Sequence, residues 1–112
     1  MENKILQTIY NALDEKFAFD IIAYDIKEKS TLADFFVIAS ANNLIQVKAC
    51  ADNVEFRLSE IGVELSQREG YSSSNWILMD FGPVIVHVFN KDDREYYTLD
   101  KIWEGSPIIE LG

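Results

Sequence analysis

In the opening stretch MENKILQTIYNALDEKF, Ile5, Leu6, Ile9 and Leu13 recur at the spacing of one helical face, with Tyr10 and Phe17 at its margins. Glu2, Lys4, Gln7, Asn11, Asp14 and Glu15 take the wet side, so an amphipathic helix is predicted. The period then shortens. DIIAYDI (residues 20–26) and DFFVIAS (34–40) are short runs rich in β-branched and aromatic residues, separated by the charged KEKSTLA, and they predict paired strands. The second is apolar without alternation from Phe35 to Ala39, as expected of a central strand covered on both faces. Helical spacing returns in Leu44, Val47, Ala51, Val54, Leu58 and Ile61, with Asn42 or Asn43 as N-cap and Gly62 as stop.

Val63 to Glu69 reads as a strand in which Val63 and Leu65 alternate with polar neighbours, and the polar GYSSSN (70–75) reads as a loop. Trp76 to Asp80 and Val84 to Phe89 predict a hairpin about Phe81-Gly82-Pro83, where glycine reaches positive φ and proline blocks further ladder pairing. A short helix from Asp92 or Asp93 to Trp103 and a tail containing Gly and Pro complete the chain. This order predicts an α/β (α+β) fold: a mixed sheet of about five strands with helices mainly on one face, in a single domain spanning residues 1–112. The other face of such a sheet would expose alternate residues, and aromatic or aliphatic side chains among them would mark an interaction surface.

Composition narrows the partner. Nearly half of the 112 residues are hydrophobic, as in a folded globular protein, and no run approaches the length of a membrane span. Ten Lys and Arg against 19 Asp and Glu give a net charge of −9, which repels a polyanion and either attracts a basic surface or serves solubility alone; no direct nucleic-acid contact is expected. The N-terminus has neither an Arg-rich stretch nor an apolar signal core, so a cytoplasmic location is the expectation. Cys50, the single cysteine, falls on the apolar side of the second helix and reads as a small core residue.

Candidate chemistry lacks companions. Asp80-Phe81-Gly82 matches the magnesium-binding triplet of protein kinases, but no Gly-rich loop, strand lysine or His-Arg-Asp loop accompanies it. A nucleotidyltransferase site needs a Gly-Ser cradle before a helix and an Asp-x-Asp pair on one strand face, whereas Asp20, Asp25 and Asp34 lie five and nine apart. Asp92 and Asp93 suit helix capping. His87, the only histidine, has no adjacent nucleophile and no second histidine to share a metal, so a structural role is expected. The expectation is therefore no catalytic residue, no metal and no cofactor; the reading set against it is a nucleotide-binding or nucleotidyltransferase-type enzyme using His87 and Asp80. Trp76 and the pair Tyr96-Tyr97 stand out as binding groups, because aromatic side chains bury large area at little cost in rotamer freedom; core packing is the alternative, and for Trp76, at the start of a strand beside a loop, the two readings stand level.

Taken together, DIIAYDI, TLADFFVIAS, QVKACADNVE, WILMDFGPVIVHVF and REYYTLDKIW resemble, in order, the ribosomal silencing factor (Iojap-like) family from about residue 20 to residue 103. The resemblance implies a translational repressor that binds the large ribosomal subunit through its ribosomal protein numbered fourteen, blocks joining of the small subunit and lowers translation under nutrient limitation. It also implies a fold related in shape to nucleotidyltransferases without their catalytic residues. The partner-binding residues it implies are Trp76, Ile77, Leu78, Met79, Asp80 and Phe81, with Tyr97 of the terminal motif; off the ribosome, a homodimer is the open alternative. Three positions depart from the family pattern: Ala41-Asn42-Asn43 stands for Gly-Asn-Ser or Gly-x-Ser, Asn75 for the Gly that often precedes the Trp, and Pro83 for an Asp. Pro83 removes a carboxylate from the hairpin tip and stiffens the turn.

Overall fold

The computed structural model describes residues 2–97 and 101–111. Helix α1 (Glu2–Glu15) leads into strands β1 (Phe19–Asp25) and β2 (Phe35–Ala41), then helix α2 (Leu44–Glu60). Strands β3 (Gln67–Glu69), β4 (Trp76–Asp80) and β5 (Val84–Asn90), helix α3 (Lys91–Tyr97) and strand β6 (Ile108–Ile109) follow. The strands form one mixed sheet in the order β3-β4-β5-β2-β1-β6. Among the described residues only β2 and β5 run parallel, with Phe35 opposite Val84 and Ala41 opposite Asn90.

The predicted helical faces are buried except at the two ends of the second stripe, where Leu44 in the first turn of α2 is 42% exposed and Ile61, just past the helix, is only partly buried. Ile5, Leu6, Ile9 and Leu13 of α1 and Val47, Cys50, Ala51, Val54 and Leu58 of α2 pack on one side of the sheet against Phe35, Val37, Ala39, Ile77, Met79, Val84, Val86 and Val88. Phe17 departs from its expected place at the margin: it follows the end of α1 at φ 66° and is 79% exposed, turned away from the core. The carboxamide of Asn43 caps α2 by accepting from Gln46 N at 2.9 Å, and Gln46 Oε1 in return accepts from Asn42 N. Gly62 at φ 82° ends the helix, where Val63 N bonds back to Leu58 O at 2.9 Å. Every residue of β2 is buried, as its uninterrupted apolar run requires.

Four expectations change. The sheet has six strands, one more than expected, because Pro107 O accepts from Asp25 N and the tail then pairs Ile108 and Ile109 with Tyr24 and Ala23. Strand β3 begins only at Gln67; Val63 and Leu65 pack on the core from irregular backbone, so their alternation reflects burial without ladder pairing. Helix α3 starts at Lys91, directly after β5, and places Asp92 and Asp93 inside its first turn instead of at the cap. Its predicted continuation to Trp103 crosses residues 98–100, outside the described residues, and residues 102–105 are turns.

The second face of the sheet is not bare. Tyr24, Ile26, Ala33, Phe36, Ile38 and Phe89 form a smaller core there, flanked by Ile22, Trp76, Ile85 and Trp103. Trp103 packs on Phe36 with ring centroids 5.3 Å apart, so the C-terminal segment covers part of the face that the pattern leaves open.

Candidate functional site

Alternation along β4 and β5 divides the hairpin between the two cores. Ile77 and Met79 are fully buried against the helices, together with Phe81 at 5% exposure. Trp76, Leu78 and Asp80 point to the other face and remain partly exposed, directly opposite Phe89, His87 and Ile85 on β5. The set of six hairpin residues thus narrows: the side chains of Ile77, Met79 and Phe81 hold the hairpin from within, and Trp76, Leu78 and Asp80 form the row that meets solvent. Tyr97 ends α3, but its side chain and that of Tyr96 lie outside the described residues.

Trp76 is fixed on two sides. Its ring stacks on Phe89 with centroids 4.9 Å apart at 24°. Its indole Nε1–H donates to His87 Nδ1 at 2.8 Å. The imidazole is only 3% exposed and lies against the Phe36 ring at 4.2 Å, and this burial lowers its pKa to about 4. It is therefore neutral at physiological pH. With Nδ1 accepting, the ring proton resides on Nε2, which has no hydrogen-bond partner among the described residues. The group hydrogen-bonded to His87 is thus an indole, not the carboxylate of Asp80 or a hydroxyl nucleophile.

Asp80, Phe81 and Gly82, the apparent kinase triplet, form the hairpin turn. Asp80 Oδ1 accepts from Gly82 N at 2.8 Å, Phe81 N donates to Val84 O at 2.9 Å, and Gly82 stands at φ 92°. Pro83 ties the tip to the neighbouring strand through its backbone, since its carbonyl accepts from both Asp34 N and Phe35 N. Cys50 is buried, and desolvation raises its thiol pKa to about 11, consistent with a core residue. Among the described residues, no three His, Cys, Asp or Glu side chains converge where a metal ion could be held, and no helix is long and apolar enough to cross a membrane.

Two supporting residues carry little sequence signal. Gly70 lies at φ 81° against the start of β4, where an added Cβ would fall 2.0 Å from the Trp76 carbonyl oxygen; its place in a polar loop gives no hint of that approach. Arg94 of α3 donates to Ser40 Oγ at 3.0 Å and to the carbonyl of Asp20, anchoring the helix to β2 and β1. Asp20 presents that carbonyl from φ 51°, where the β1–β2 register shifts between Phe19 and Ile22.

The family model for "Ribosomal silencing factor during starvation" matches residues 1–112. The chain is 43% identical over 108 residues to ribosomal silencing factor RsfS of Halalkalibacterium halodurans, covering 96% of this chain and 92% of that protein. It is 39% identical over 110 residues to RsfS of Bacillus subtilis, covering 98% and 93%. A crystal structure of a protein from Chromobacterium violaceum superposes with a TM-score of 0.88 at 32% identity, covering 97% of this chain and 90% of the other. The β-hairpin that carries Trp76 therefore belongs to a shared whole-chain architecture, and this chain belongs to the ribosomal silencing factor family.

Proposed function

We propose that this protein is a cytoplasmic translational repressor that binds the large ribosomal subunit through the ribosomal protein numbered fourteen and blocks joining of the small subunit when nutrients are short. The whole-chain match to the ribosomal silencing factor family carries this reading. The fold supplies a suitable contact row in Trp76, Leu78 and Asp80, partly exposed on one strand face and backed by the buried Ile77 and Met79. A prepositioned indole on the same strand face as a carboxylate suits a basic protein surface, because the ring buries area while the net charge of −9 draws the partners together. Repression needs only occlusion, so neither a cofactor nor a reacting group is required.

Sucrose gradients with purified subunits test partner, subunit choice and anti-association activity together. The protein is expected in the large-subunit fraction, and its addition is expected to reduce the peak of joined subunits. Trp76→Ala and Asp80→Lys should abolish co-sedimentation while leaving the far-UV circular dichroism spectrum unchanged. Undiminished co-sedimentation of both variants would sink the site assignment, and migration with the small subunit would sink the proposed partner.

A further inference from the structure

The one buried imidazole of the chain has its ring nitrogens in unlike surroundings. Nδ1 receives the Trp76 indole at 2.8 Å, whereas Nε2 is buried without a hydrogen-bond partner among the described residues. A leucine or phenylalanine would fill such an apolar place without the orphaned Nε2, a defect that ordinarily destabilises a fold. What histidine adds over either is an acceptor aimed at the indole. Phe36 packs on the imidazole at 4.2 Å and Phe89 stacks on the indole at 4.9 Å, so both partners of the bond are held by rings on the same sheet face.

We propose that His87 is a positioning residue for the docking surface: as the neutral Nε2–H tautomer it accepts from Trp76 and sets the orientation in which the indole meets the ribosomal partner. The docking part rests on the function proposed above; the tautomer and the indole orientation do not. Without the acceptor, Trp76 would keep its stack on Phe89 but lose the bond that fixes the turn of the ring, and the ordering left to docking would lower affinity. Asparagine can place its Oδ1 near the position of Nδ1 and so preserve the acceptor, whereas phenylalanine preserves ring volume and removes it.

The first measurement is free of the ribosome. Because the chain has a single histidine, a long-range proton–nitrogen correlation spectrum reports one imidazole, expected with Nδ1 unprotonated and Nε2 protonated at pH 7. The Trp76 indole proton, distinguished from that of Trp103 by Trp103→Phe, should be protected from exchange, lose protection in His87→Phe and keep it in His87→Asn. A protonated Nδ1, or an unchanged indole resonance in folded His87→Phe, would overturn the proposal. If His87→Phe does not fold, Trp76→Phe removes the same bond from the other side, and an unmoved Nδ1 resonance there would overturn it as well.

The second measurement is co-sedimentation with large subunits. His87→Phe should weaken binding about five- to tenfold, the ordinary worth of one hydrogen bond, and His87→Asn should remain close to wild type. Wild-type affinity of folded His87→Phe, alongside a damaged Trp76→Ala, would overturn the positioning role. Wild-type affinity of Trp76→Ala itself would instead overturn the docking reading, and the spectra would still decide whether His87 orients the indole.

Discussion

His87 and Cys50 show how burial, rather than residue type, decides what a titratable side chain does. An unfolded imidazole titrates near 6.5, whereas burial holds this one near 4, so between those values the unfolded chain binds more protons. Stability is therefore full above pH 6.5 and falls as pH drops toward 4, by about 1.4 kcal/mol per unit. Urea unfolding at pH 7 and pH 5 should reveal a loss of about 2 kcal/mol from this group, and His87→Phe should lack that component of the slope. Cys50 is shielded in the same way, with a thiol raised to about 11 inside the core between the sheet and its helices. Native protein should accordingly resist iodoacetamide at pH 8, and mass spectrometry should find Cys50 alkylated only once urea unfolds the chain.

At the scale of elements, the two glycines beside β4 make a matched test of what positions the Trp76 strand. Gly82 and Gly70 both have positive φ, but only Gly70 has a neighbour in the way: a Cβ there would lie 2.0 Å from the Trp76 carbonyl oxygen, whereas one at Gly82 would meet nothing within 4 Å. Gly82→Ala should cost about 1 kcal/mol for backbone conformation alone. Gly70→Ala should cost about 2 kcal/mol or more, because β4 itself must shift. Thermal unfolding of the two variants measures the difference, and equal losses would mean that the close approach at Gly70 is not what holds β4. Long elements were legible in the amino-acid pattern because several turns of α1 and α2, and the seven apolar or small residues of β2, repeat the same signal. The two residues of β6 carry no period at all, and Val63 and Leu65 carry a strand-like period without a strand partner.

On the scale of the whole molecule, a net charge of −9 would act on the proposed association with a basic partner from beyond contact distance. Raising salt from about 50 to about 300 mM should slow the proposed association with large subunits more than it speeds dissociation, since long-range attraction is screened while a contact through Trp76 would not be. Stopped-flow mixing with labelled protein separates the two rates; an association rate indifferent to salt would remove charge from the account. The candidate surface also depends on this scale. Its row of Trp76, Leu78 and Asp80 meets solvent because β4 lies between the short edge strand β3 and β5, while Trp103 from the end of the chain covers Phe36 two strands away.

Side-chain alternation along β4 already separates Trp76, Leu78 and Asp80 from Ile77 and Met79, and the order of helical and strand periods already yields a mixed sheet with α1 and α2 on one side. These are consequences of local geometry, which repeats along the chain and can be read without knowing what each segment touches. Which of those two faces is sealed, whether His87 meets a carboxylate or an indole, and where Arg94 and Gly70 make contact depend on residues 11, 54 and 6 positions apart being brought within a few ångströms. No local period encodes such distances; the antiparallel pairing of β4 with β5, the parallel pairing of β2 with β5 and the turn that carries Gly70 back against the start of β4 create them.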